Sequence, residues 1–390
     1  MRAFIRYASA VGAALATLAV LALALALPAS APAAAPRSTP GPALTPTVAA
    51  SVFLPLLQRS LRDPDPVGQW TRYALPGNPQ VVNKIVMSSD VSGWAVGQAS
   101  DIGAIWHFDG WAWQLVSIPT VGELRGLSVV NDSDVWAAGQ GAASPGALLH
   151  WDGSTWSLTS WPGEQERDVL AFSASDVWAV GFQLAAPGLP TTPSIHHWNG
   201  AEWVDAPNPT PDWDFGRFAA ISPTDILLIE SNDQVLLHWN GVSWGVAFSP
   251  SLPRGVVGVE LRGFSASSND NAWTAPGWTL CNPNTRIPPI CHVEGTFYRW
   301  DGHAWNGTTA AVDARDVQAL SPSLARGITN DLGADPRWNY PDSSSVYRWN
   351  GAAWEQALHL PGALLQHLFV LAPADIWAAD NNAVYHYPMP

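Results

Sequence analysis

Aromatic rings set beside carboxylates are the residues of this chain best suited to act on a ligand. Trp213 lies between Asp212 and Asp214, while Trp338 stands between Asp335 and Tyr340, with Asp342 just beyond. Trp161 and Trp278 are two further tryptophans outside any regular spacing. Such rings stack on the C–H faces of sugars while carboxylates accept from their hydroxyls, and Trp and Tyr equally anchor protein partners. A competing role for each is to pin a long loop onto the body of the domain.

Other reactive side chains offer less. Cys281 and Cys291 fall in one segment and, in an exported chain, read as a disulfide worth about 2–3 kcal/mol. The pairs Asp212/Asp214 and Asp313/Asp316 lack the spacing of a calcium loop. His107, His150, His197 and His238 resemble a ligand series, but each belongs to a different copy of the repeat described below. A ring of such copies would hold them too far apart to share an ion, so they read as structural. The chain has no G-x-S-x-G, phosphate loop or H-E-x-x-H. No catalytic residue, metal or cofactor is therefore expected, and a binding role is favoured over an enzymatic one.

The elements that position these residues are announced by repetition. One motif reads aromatic, Asp or Asn, Gly, two residues, Trp. It occurs at Phe108–Trp113, Trp151–Trp156, Trp198–Trp203, Trp239–Trp244, Trp300–Trp305 and Trp349–Trp354. A second, Asp-Val-Trp-Ala-Val-Gly or a relative, lies between copies, clearest at Asp134–Gly139 and Asp176–Gly181. It has lost its Trp at Asp225-Ile226-Leu227 and is badly eroded near Ser321–Gly327.

Each period parses into four strands, a to d. In the second, a is Arg125–Val129, b is Val135–Ala138, c is Ala147–Trp151 and d is Trp156–Thr159. Asp or Asn followed by Gly marks the c–d hairpin, and the Asp before strand b is expected to accept backbone N–H bonds at the a–b corner. The Trp residues should fill the wedges between neighbouring units.

The last period ends at Val384–Tyr387 without a d strand, whereas Gly68–Pro76, around Trp70, matches the d strand that begins at Trp354. The expected fold is all-β: a seven-bladed β-propeller of four-stranded blades over residues 69–390, its last blade closed by the N-terminal strand near Trp70. The paired motifs DVWAVG and HWDGxxW resemble repeats of exported bacterial propellers and, more distantly, kelch repeats. The resemblance implies architecture and hardly any activity. Copper chemistry of kelch-like oxidases is not implied, because the chain has no Cys beyond 281 and 291.

In such a propeller the b–c and d–a loops share one face. The b–c loops Gly181–Ser194, Pro276–Gly295 and Thr329–Ser345 are long, and the d–a loops Thr159–Asp168 and Asp205–Arg217 are also read as elaborated. Trp161, Trp213, Trp278 and Trp338 all fall in them, on one side, with Asp212, Asp214 and Tyr340. Variable loops on a rigid scaffold are where binding usually resides.

Ahead of the repeats, residues 1–31 carry Arg2 and Arg6, then an apolar run over 8–27, then Pro28-Ala29-Ser30-Ala31. This reads equally as a cleaved secretory signal and as an uncleaved membrane anchor. Residues 32–68 form a Pro/Ala-rich linker. Charged residues are only 13% of the chain and its net charge is −14, which disfavours nucleic acid. The expectation is an extracellular or cell-surface monomer, either free or tethered to the membrane by residues 8–27, that recognises a glycan or an extracellular protein through the b–c/d–a face. A glycan-active hydrolase or lyase with a site in the central pocket is the alternative.

Overall fold

The computed structural model describes residues 70–141, 146–184, 192–208, 215–230, 235–248, 256–281, 291–308, 313–332 and 341–387. The expected export segment, residues 1–31, and the expected linker, 32–68, lie outside them. No helix among the described residues is long and apolar enough to cross a membrane.

Seven antiparallel sheets account for the described chain. Six run a-b-c-d in sequence order, starting at Pro79, Val121, Glu164, Phe215, Val256 and Ala314. The seventh joins His367–Ala372, Asp375–Ala379 and Ala383–Tyr387 to Thr71–Ala74, which supplies its outer strand. Thr71 pairs with His386 and Ala74 with Ala383, and the Trp70 ring meets Tyr387 edge-on at 5.3 Å. Seven blades and the expected closure are both present.

The c–d corners show how the repeated motif works. Asp152 Oδ1 accepts from the backbone N–H groups of Ser154 and Thr155, at 2.8 Å each. Asp109, Asn199, Asn240, Asp301 and Asn350 do the same in their own blades. The following Gly takes a positive φ in each copy, 89° at Gly153, which only Gly adopts freely. Trp151 and Trp156 are then paired directly across the hairpin.

The Asp before strand b behaves differently from expectation. Rather than bracing the a–b corner through backbone N–H groups, its carboxylate receives the imidazole of strand c. His150, His197, His238 and His386 reach Asp134, Asp176, Asp225 and Asp375 at 2.7–3.0 Å. Three of those rings lie flat on the b-strand Trp of the same blade, as His150 does on Trp136 at 3.8 Å and 11°. The repeated His is thus one arm of a bracket inside four of the blades, while His107 of the first blade meets Ser92 at 3.2 Å instead.

Between blades the tryptophans fill the wedges. Trp94 meets Trp151 and Trp156 of the next blade, Trp178 meets Trp239 and Trp244, and Trp273 meets Trp349 and Trp354. Each of the seven interfaces has its own apolar cluster. In the eroded sixth blade Arg326 takes the Trp position, fully buried, and donates to the Pro373 carbonyl at 2.7 Å.

Candidate functional site at the mouth of the central channel

Each a strand touches the a strand of the next blade all the way round, so these seven strands form the channel wall. One register position is equivalent in every blade. It is held by Lys84, Gly126, Asp168, Arg217, Gly263, Asp316 and His367, opposite Val96, Ala138, Val180, Ile229, Ala275, Ile328 and Ala379 of the b strands. In the first six blades a bulge immediately precedes it. The extra residue is Arg125, Arg167, Arg262 or Arg315 in four of them, with Asn83 and Gly216 in the other two. A bulge bends the strand and re-aims its side chain, and here it turns toward the channel end from which the a strands enter, the b–c/d–a side.

The ring reads basic, Gly, acidic twice over, and then His. Lys84 Nζ lies 2.8 Å from Asp168 Oδ1, reaching past Gly126, where a Cβ would stand 2.7 Å from the Asp168 Cα. Gly263 sits likewise between Arg217 and Asp316, and a Cβ there would fall 2.5 Å from Asp316 Oδ1. Burial pushes the Asp316 carboxyl up to about 6, against the pull of Arg217 and of two backbone N–H donors. Burial drives the His367 imidazole down to about 3, with Arg217 and Lys84 adding to the effect.

These carboxylates also stitch blades together. Asp168 Oδ2 accepts from the N–H of Phe218 at 3.0 Å, and Asp316 Oδ2 from that of Leu368 at 2.9 Å. Ser128, Ser265 and Gln318 accept from Ala171, Ala319 and Val370 in the same manner. Each a strand is an inner edge, and in four blades side chains of the preceding blade take up some of its unpaired donors.

Just outside the ring, toward the b–c/d–a face, lies a polar collar. Arg125 pairs with Glu123 at 2.9 Å, and Asn83 bridges Glu123 and the Leu124 carbonyl. Asp313 receives both Arg262 and Arg315, the latter at 2.6 Å. Asp313 itself has φ 70°, uncommon for a residue with a Cβ, and the two guanidinium groups hold it there. Further round, Asp331 accepts from Ser345 at 2.6 Å, beside a half-exposed His359.

The site residues expected from sequence are only partly placed. Trp161 is not in a loop. It is the last residue of strand d of the second blade (Trp156–Trp161), opposite Gly146. Gly163, with φ 85°, turns the chain within two residues into the next a strand, so the segment Thr159–Asp168 is a tight turn between blades and not a loop. The Trp161 ring is half-buried and stacks on His196 at 4.8 Å and 6°.

Trp278 lies within strand b of the fifth blade (Asn271–Cys281), opposite Glu294 of Cys291–Gly295. The long b–c connection there begins and ends as a two-stranded ribbon. At its far end Cys281 and Cys291 are direct register partners. Asp212, Trp213, Asp214, Trp338 and Tyr340 lie outside the described residues.

Sequence reasoning passed over the channel wall, though a signal was available. Arg125-Gly126, Arg167-Asp168, Arg262-Gly263 and Arg315-Asp316 are dipeptides of one pattern recurring at blade spacing in a chain poor in charge.

No family model matches the chain, and no curated protein matches its sequence. Solved structures match its fold. The WD40 domain of Neurospora crassa Pan2 superposes with a TM-score of 0.56 at 14% identity, over 84% of this chain and 98% of that one. YCF48 bound to D1 peptide gives 0.55 at 12%, over 83% and 96%. The GH74 xyloglucanase of Xanthomonas campestris gives 0.54 at 13%, over 81% of this chain and 53% of its own. The chain thus has a β-propeller fold with WD40-like structural neighbours, and likeness at this identity extends to fold alone.

Proposed function

We propose that this chain is an exported binding module that holds a glycan against the b–c/d–a face, over the mouth of the central channel. The observation that carries the reading is the collar of bulge-borne arginines. In a chain with 13% charged residues, equivalent bulges of four blades carry Arg. They stand among Asn, Ser, Asp and Glu groups that can exchange hydrogen bonds with hydroxyls. Trp161, at the end of strand d of the second blade, lies toward the same face. Residues 1–31 and the Cys pair agree with an exported, surface-exposed setting.

An enzyme in the channel would need carboxylates free to move protons. Asp168 and Asp316 are instead committed to neighbouring backbone N–H groups, and Asp168 also to Lys84. Propellers of similar shape include one bound to a peptide and one that is a xyloglucanase, so both protein partners and catalysis remain outcomes of the test.

The test is a glycan array carrying neutral and uronic-acid polysaccharides, followed by titration calorimetry with any hit. Binding should weaken about tenfold or more in Arg125→Ala/Arg315→Ala, since charged hydrogen bonds contribute about 1.5–3 kcal/mol each. No binding to any glycan would sink the proposal, and release of reducing ends from a bound polysaccharide would move the protein to the hydrolase or lyase class.

A further inference from the structure

A second group of reactive side chains lies away from the collar, at the interface of the second and third blades. Glu164 and Glu166 project from one side of strand a of the third blade (Glu164–Ser173), and His196 from its strand c (Thr192–Trp198). One ligand atom from each lies within 4.8 Å of the others. Strand b, between them, has Gly181 at the crossing point, opposite both Glu166 and Ser194. A Cβ there would stand 2.9 Å from Glu166 Oε2, so the missing side chain lets the carboxylate and the imidazole meet. Gly146 of the second blade leaves matching room on the other side, where a Cβ would be 3.0 Å from Glu166 Oε1.

Glu166 is fully buried, and neither carboxylate oxygen has a hydrogen-bond partner. Its surroundings are otherwise well satisfied. His196 Nε2 and Glu164 Oε2 are 2.8 Å apart, and Ser194 Oγ donates to the same oxygen at 3.2 Å. On its other side His196 Nδ1 faces Asp205 Oδ1 at 2.9 Å, and Trp161 stacks flat on the ring. A buried carboxylate with two idle oxygens is costly unless something else meets it.

We propose that Glu164, Glu166 and His196 form a binding site for one divalent transition-metal ion, with zinc the best match. Two carboxylates and an imidazole are an oxygen/nitrogen set that suits Zn²⁺ and disfavours Ca²⁺ or Mg²⁺, which take oxygen ligands alone. Asp205 supplies what a metal-bound imidazole normally has, a carboxylate on its other nitrogen that fixes the ring and directs Nε2 inward. Trp161 lies flat on the imidazole and fixes its plane, which gives this ring a purpose independent of any sugar.

The experiment uses the purified full chain, stripped with chelator and titrated with zinc chloride. The expected result is one zinc per chain, with a melting temperature raised on loading because the ion binds the folded state. Glu166→Gln keeps the shape and should weaken zinc binding about tenfold or more. Should that variant not fold, His196→Gln and the wild-type melting shift carry the same test. Replacing Cys281 and Cys291 by Ser should leave uptake unchanged. A wild-type chain that takes up no zinc, or a Glu166→Gln chain that takes it up equally, overturns the site, whatever the outcome of the glycan array.

Discussion

Asp316 and His367 sit side by side in the channel wall, with His367 Nδ1 3.9 Å from Asp316 Oδ2, and burial moves them in opposite directions. The folded imidazole titrates near 3 against an ordinary value of 6.5, so the unfolded chain binds the extra proton between those limits. Its contribution to stability is present at neutral pH and lost as pH falls. The folded carboxyl titrates near 6 against an ordinary 3.8, so there the folded chain holds the extra proton. Its contribution is present in acid and lost as pH rises to 6. Lys84 and Arg217 face both groups and lower both values, adding to the shift of His367 and opposing that of Asp316. Urea midpoints measured from pH 4 to 7 should show the advantage of wild type over His367→Gln shrinking as pH falls. The advantage over Asp316→Asn should grow on the same path. Slopes of the same sign in the two variants would refute this account of the wall.

At the scale of elements, what was legible is what each blade repeats. The c–d corner is written in adjacent residues, Asp or Asn capping two N–H groups and Gly taking positive φ, so pattern alone located it. The bulges were not legible, because one inserted residue changes which way Arg125 or Arg315 points without altering composition. Trp161 and Trp278 were misplaced for a related reason. Length between motifs was read as loop, whereas backbone pairing carried strands d and b further than the apolar pattern did. The ribbon that holds Trp278 supports one further expectation. Its register sets Cys281 opposite Cys291, a spacing of about 4.5–5.5 Å between Cα atoms that a disulfide spans. Thiol labelling of the unfolded, unreduced protein should find no free thiol, and reduction should destabilise the ribbon by about 2–3 kcal/mol. Two titratable thiols before reduction would remove the staple.

For the whole molecule the decisive contact joins its two ends. Without Thr71–Ala74, the strand Ala383–Tyr387 would be an open edge, with a row of unpaired N–H and C=O groups on a closed, rigid body. More than hydrogen bonds would be lost. Tyr73 stacks on Trp377 at 6.0 Å and meets Phe108 edge-on at 5.3 Å, so one side chain joins the last blade to the first. Arg72 reaches Tyr385 and Asn382, and the Pro76 carbonyl accepts from Trp106 at 2.9 Å. Truncating one buried aromatic typically costs about 3–5 kcal/mol, and removing the strand exposes the edge as well. A chain beginning after residue 76 should therefore melt lower and form dimers or larger species in size exclusion as concentration rises. A synthetic peptide of residues 69–76, added in trans, should restore both melting temperature and monomer, because it refills a slot that the other three strands leave preformed. A truncated chain that stays monomeric and melts with the intact one would mean that the ring is held by its wedges alone, and that the terminal strand is an ornament on a blade already complete.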